Sequence, residues 1–203
     1  MIFDFPSHRY SRRHGPSGYR TYHPYKVWLR DEFTFRCVFC LVRERWYPNG
    51  DAAFSVDHLI PKSLELGVLD YENLLYACLQ CNSLKLTQLG IPDPCAVPYG
   101  LHLKVNDDGT VSPLSTQGKI LIDAFWLNDP ERVRYRDEVL RDFRYFRDRL
   151  AEPEAAALFK SKFGFPDNLP DLRKNKPRRN SRPEGIRRSY YARRQRGRLS
   201  DTY

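Results

Sequence analysis

Apolar positions along the chain come in short runs broken by turn residues, and their spacing changes from run to run. Behind Pro24, residues Tyr25, Val27, Trp28, Leu29 and Phe33 recur at helical intervals, which predicts a short helix with Trp28 and Phe33 as core anchors. Leu41-Val42 and Phe54-Ser55-Val56 flank a polar stretch at Pro48-Asn49-Gly50-Asp51. Asn-Gly between apolar segments predicts a hairpin tip, and Pro61 closes the second strand soon after His58. Leu64 to Leu69 is a short apolar stretch, Asp70 to Leu75 leads on from it, and Asn82 to Leu86 reads as a helix stopped by Gly90 and Pro92. Further on, His102–Val105 and Thr110–Pro113 flank Asp108-Gly109 as a second hairpin, and 118–127 is apolar enough to dock on the body. Asp129-Pro130 has the form of an N-cap with proline at the first helical position. The helix it opens runs through Leu150, with Val133, Val139, Leu140, Phe143, Phe146 and Leu150 on one stripe and its arginines, Arg132 and Arg136 among them, alternating with acids elsewhere on a surface that is solvated or meets a partner protein. Residues 155–163 suggest a last short helix, and no internal repeat is found.

Charge divides the chain unevenly. Residues 171–203 carry 12 Lys and Arg against 3 Asp and Glu, and residues 1–170 carry 22 against 22, so the whole excess of +9 lies in the tail. Few apolar residues accompany it, which predicts disorder because little burial is available to offset chain entropy. The expected organisation is a polar arm at 1–23, a core at 24–90, a hairpin and helical extension at 91–165, and a basic disordered tail at 166–203. His8, His14 and His23 are expected to be solvated arm residues. No run approaches the roughly 18 apolar residues of a membrane helix, and no signal pattern opens the chain, so a soluble cytoplasmic protein is expected.

Four of the five cysteines form two Cys-x-x-Cys pairs, Cys37/Cys40 and Cys78/Cys81. Such a pair closes on one tetrahedral ion from a tight turn, and two pairs complete a four-thiolate zinc site with Zn–S near 2.3 Å. Cys95, between Pro94 and Ala96, is read as a bystander. The 37 residues between the pairs hold Asp57-His58 and Asn73, and Asn82 directly follows the last cysteine.

Asp57-His58, Asn73 and Cys78-x-x-Cys81-Asn82-x-x-Lys85 together resemble the HNH nucleases, in a form whose third signature position is Asn, over about residues 24–90. The resemblance implies an α+β fold containing a ββα-metal finger. It also implies divalent-metal-dependent hydrolysis of DNA phosphodiester bonds, with RNA left open. Other members serve in restriction, homing, colicin toxicity and RNA-guided cleavage, which suggests a defence or toxin effector controlled by an ATPase or sensor protein.

The side chains carry this chemistry in their own right. Phosphodiester hydrolysis needs a deprotonated water and a cation against the charge on the phosphate. His58 is neutral near cytosolic pH and is the candidate base. Asp57 and Asn82 offer hard oxygens for Mg2+ or Mn2+. Asn73, as the resemblance implies for its middle signature residue, holds the loop that orients His58. Lys85 is either a phosphate contact or a residue of a solvated helix face. Arg187, Arg188, Arg193 and Arg194, with Tyr190-Tyr191 between them, suit neutralisation of a nucleic-acid backbone, and Arg43 and Arg45 are weaker candidates for the same task. The alternative to an enzyme is a non-catalytic zinc-stabilised adaptor that binds nucleic acid or protein.

Overall fold

Helix α1 (Lys26–Glu32) follows a 3-10 turn at His23–Tyr25 whose proline starts the coil of the chain. It buries Trp28 and Leu29 completely, and Phe33 beyond its end is as deep. An aromatic side chain of that size removed from water contributes roughly 2–3 kcal/mol, which makes this helix the floor of the core. Its polar residues are buried too. Arg30 makes a two-pronged pair with Glu44 at 2.9 and 2.8 Å, and Glu44 also accepts from the Tyr76 hydroxyl at 2.6 Å.

The computed structural model describes residues 2–203. It is a mixed α/β chain of small sheets and helices: β1 (Pro16–Ser17), α1, β2 (Phe54–His58), β3 (Leu74–Cys78), α2 (Leu79–Lys85), β4 (Leu103–Val105), β5 (Val111–Pro113), α3 (Thr116–Ala124), α4 (Pro130–Arg147), α5 (Pro153–Phe163), β6 (Arg179–Asn180), α6 (Glu184–Arg188) and α7 (Tyr190–Gln195). The strands pair antiparallel as β1 with β6, β2 with β3, and β4 with β5. The predicted second hairpin and the helices behind Asp129 and near 155 are present. Asp129 caps α4 by accepting from the Glu131 amide. Phe125, at the end of α3, stacks on Phe39 at 4.1 Å.

The first predicted hairpin is not formed. Asn49-Gly50 enters a 3-10 turn at Gly50–Ala53, and β2 pairs instead with β3, in the register Phe54↔Cys78 through His58↔Leu74. The partner strand is fully buried, so it lacks the alternation by which strands are read. This pairing sets His58 at one end of the ribbon and Cys78 at the other end of the partner strand, where α2 begins.

The arm and the tail also differ from expectation. Met1 lies outside the described residues, but Ile2, Phe3 and Phe5 are core residues. His14 is fully buried rather than solvated: its Nε2 lies 2.8 Å from Asp31 Oδ1, and its amide donates to Glu32. His8 and His23 are exposed, as expected. The tail is ordered against the body. Phe35, Phe165 and Leu169 form a small second core with Tyr190, Tyr191, Leu199 and Tyr203 packed on it. The Tyr190 amide donates to Asp31 Oδ2 at 2.7 Å, and Arg182 bonds the His14 carbonyl and Glu72. Composition underestimates such a segment because it counts arginines as solvated, whereas here they end on backbone carbonyls and carboxylates. Arg43 and Arg45 are committed in the same way: Arg43 donates to the Phe163 carbonyl and lies over Tyr203, and Arg45 donates to the carbonyls of Ser161 and Phe165.

Candidate active site

The four-cysteine cluster stands where the knuckle after α1 meets the β3–α2 junction. The chain reverses at Cys37–Val42, with Leu41 at φ 63° and the Leu41 amide donating to the Cys37 carbonyl. The Val38 amide then bonds the Tyr76 carbonyl, which lays the knuckle against β3. Cys78 ends the strand and caps the helix, its sulfur accepting from the Cys81 amide at 3.4 Å. All four sulfurs are buried and lie within 4.8 Å of one another, with Cys40 and Cys78 3.8 Å apart. Four Zn–S bonds of about 2.3 Å at tetrahedral angles put sulfurs about 3.8 Å apart, so the cluster could hold zinc. Among the described residues it is the one close group of three or more Cys, His, Asp and Glu that could hold a metal.

A cavity of 260 Å3 is lined by Tyr22, Val56, Asp57, His58, Pro61, Lys62, Ser63, Asn82, Leu86 and Thr87. It therefore brings together Asp57 and His58 at the end of β2 with Asn82 on α2, two residues that are 24 and 25 positions apart from it in sequence. His58 Nε2 lies 3.1 Å from the Val68 carbonyl. A carbonyl only accepts, so this nitrogen carries the proton and Nδ1 is the basic one. Burial lowers the His58 pKa; the Val68 contact opposes this, and Lys62 and Lys85 add to it. The Tyr22 ring meets the imidazole edge-on at 4.8 Å.

Asp57 is 4% exposed, and burial pushes its pKa up to about 6 although Lys85 pulls it down. Its Oδ1 is 3.6 Å from the Lys85 ammonium, while its buried Oδ2 has no partner. The Asn82 carboxamide has no hydrogen bond either among the described residues. A buried oxygen without a donor and a free amide oxygen, on residues of one cavity, are the kind of donor a hard divalent cation takes, so these residues fit Mg2+ or Mn2+.

Asn73 lines no part of the cavity but governs its wall. Its Oδ1 accepts from the Ile60 amide at 2.8 Å, and its Nδ2 donates to the carbonyls of Ile60 and Gly67, both at 3.2 Å. It thus cross-ties the loop 59–68, whose last carbonyl receives His58. Arg12, from the arm, in turn donates to the carbonyls of Glu72 and Leu74 on either side of Asn73.

Residues 37–88 match the family model of the HNH endonucleases. The chain thus carries a nuclease-type domain over roughly a quarter of its length. No curated protein matches the chain.

Within the HNH domain, Lys85 is neither of the things its sequence position suggested. It is completely buried, donates to the His58 carbonyl at 2.5 Å and faces Asp57, so no phosphate reaches it. Four residues beyond Cys81 it shares that cysteine's face of α2, but nothing in the sequence says that β2 brings Asp57 and the His58 carbonyl to meet it. Lys62 and Tyr22 were missed. Lys62 is exposed at the cavity and stands 5.7 Å above the Tyr22 ring. Nothing in its sequence context separates it from any loop lysine. Of the tail arginines, Arg187 and Arg188 are exposed, Arg193 lies over Tyr190, and Arg194 is tied to the carbonyls of Pro166 and Asp167. None of them lines the cavity. Arg194 is therefore a structural residue, its donors spent on the body, rather than a free contact for nucleic acid.

Proposed function

We propose that this chain is a divalent-metal-dependent HNH endonuclease that hydrolyses DNA phosphodiester bonds and nicks one strand per protomer. In this reading β2, β3 and α2 form a ββα-metal finger, and zinc in the cysteine cluster fixes where α2 begins. The observation that carries it is the tautomer of His58. With Nε2 committed to Val68, Nδ1 is the basic nitrogen of a ring that lines the same cavity as Asp57, whose Oδ2 is unpartnered, and Asn82.

His58 Nδ1 takes the proton of the attacking water, and the burial that keeps the imidazole neutral keeps it available near neutral pH. Asn73 and the loop it ties hold the ring in line. Asp57 and Asn82 would hold Mg2+ or Mn2+, which when bound would supply counter-charge to the phosphate and the leaving oxygen. Lys85 holds the Asp57 carboxylate through Oδ1, and the unpartnered Oδ2 would be the oxygen offered to the ion. The exposed cation at this cavity is Lys62, placed to meet the incoming phosphate, and Arg187 and Arg188 add backbone affinity at a distance.

Supercoiled plasmid incubated with the purified chain and Mg2+ or Mn2+ tests the reading. Open circles should appear with the wild-type chain and not with His58→Ala, while His58→Ala keeps its zinc and its fold. DNA or RNA binding without cleavage under any divalent metal would favour the adaptor instead.

A further inference from the structure

The zinc cluster has a charge problem that the HNH domain does not solve. Four thiolates around one Zn2+ carry a net charge of about −2, and here they are buried. A buried charge without a counter-charge is strongly disfavoured. No Lys or Arg of residues 37–88 is bonded to a cysteine sulfur. The cation that reaches the cluster comes from α4, far outside the family match: Arg132 Nη1 donates to Cys81 Sγ at 3.6 Å. Its Nε and Nη2 are shielded from solvent and have no other partner. Arg136, one turn on, is committed elsewhere, to the carbonyls of Gly109 and Leu127. Arg132 and Cys40 also line one cavity of 260 Å3 together with Trp46, Tyr47, Gln80 and Tyr135. The same cavity thus reaches both the cluster, at Cys40, and the arginine that bonds it. Both arginines had been expected on a solvated or partner-facing surface of α4, and the structure places neither there.

We propose that Arg132 is the built-in counter-charge of the zinc–thiolate centre: its N–H···S contact lowers the reactivity of the thiolates and ties α4 to the metal, so that zinc loading and docking of the C-terminal helices are coupled. The inference rests on zinc filling the cluster and is independent of DNA cleavage. Removing the hydrogen-bond donor leaves the dianionic centre without its counter-charge and raises the electron density on sulfur, which makes the thiolate more open to attack by a proton, an oxidant or a competing chelator. Partners of this kind are worth about 10- to 100-fold in metal affinity.

The test uses the full zinc-loaded chain and three variants: Arg132→Gln, Arg132→Lys, and Arg141→Gln as a control on the exposed face of α4. Zinc transfer to a chromophoric chelator should be about 10-fold faster or more for Arg132→Gln. It should be intermediate for Arg132→Lys, which keeps the charge and loses the planar fork, and unchanged for Arg141→Gln. After cobalt substitution, the thiolate-to-metal charge-transfer band should move to longer wavelength in Arg132→Gln. Amide exchange over 130–147 should rise on zinc removal from the wild-type chain. Should Arg132→Gln fail to fold, Arg132→Lys decides alone. Wild-type release rates and an unmoved band in the folded variants would overturn the proposal and leave the zinc site standing. A chain that purifies with its cysteines free of zinc and does not take it up would overturn both.

Discussion

The Lys85 ammonium lies 3.6 Å from Asp57 Oδ1 and donates to the carbonyl of His58, so one buried cation holds both residues of the Asp-His pair. Lys85 is 0% exposed and Asp57 nearly so. Breaking a buried pair by removing one partner costs about 3–5 kcal/mol, because the other charge is left uncompensated. Lys85→Met should therefore lower stability by about 3 kcal/mol or more, read as a shift in the urea midpoint. Adding Asp57→Asn to it should restore a large part of that loss without restoring cleavage. A Lys85→Met chain as stable as the wild type would remove the cation from this account.

Asp57 gives the site a pH signature. Its folded pKa is raised to about 6 from 3.8, so between roughly pH 4 and 6 the folded chain holds a proton that the unfolded chain has lost. The stability from this group is present below pH 4 and is lost as pH rises through 6, about 3 kcal/mol in all. His58 acts in the opposite sense: burial lowers its folded pKa below 6.5, so its contribution is present above 6.5 and is lost as pH falls. The difference between wild type and Asp57→Asn, followed in urea from pH 4 to 7 without divalent cation, isolates the carboxyl. The wild type should lose ground to the variant as pH rises, and parallel curves would contradict the assignment. Cleavage should rise across the same window, since the carboxylate form binds the ion.

Asn73 should matter through the loop rather than through contact with substrate. Asn73→Ala leaves the Ile60 amide without its acceptor and the carbonyls of Ile60 and Gly67 without their donor. Faster amide exchange at Ile60, with the zinc retained, is the first expected result. Single-turnover cleavage should fall by about 100-fold, the scale of a misplacement near 1 Å, with DNA affinity little changed. An equal loss of affinity would point to a direct contact instead.

DNA affinity divides between exposed cations and buried ones. Arg187→Gln with Arg188→Gln removes two exposed charges and should reduce the salt slope of binding by about 2, leaving the thermal midpoint unchanged. Lys62→Gln should reduce the slope by about 1 and also slow cleavage, because its charge stands at the cavity. Deleting 171–203 would act differently: it strips Tyr190 and Tyr203 from Phe35 and Phe165, so the midpoint should fall together with affinity. Filter binding over a salt series, beside melting curves, separates the two effects.

What the chain's sequence determined by itself is local chemistry at fixed spacing. Two Cys-x-x-Cys pairs announce one tetrahedral ion because the turn that closes on it is only four residues long, and Asp57, His58, Asn73 and Asn82 are legible by their positions relative to those pairs. The caps at Asp129 and the turn at Asp108-Gly109 are legible for the same reason: a neighbouring amide or a single backbone angle suffices. The partner of β2 was not legible, because a wholly buried strand such as Leu74–Cys78 carries no alternation. Nor were the fates of the charged side chains. Whether Lys85, Arg132, Arg136 or His14 faces solvent or a buried partner depends on another element of the chain, and the order of the tail depends on aromatic rings it meets only after folding. Tertiary structure decided those, since a charge is buried only where a distant part of the chain brings the opposite charge or a carbonyl to meet it.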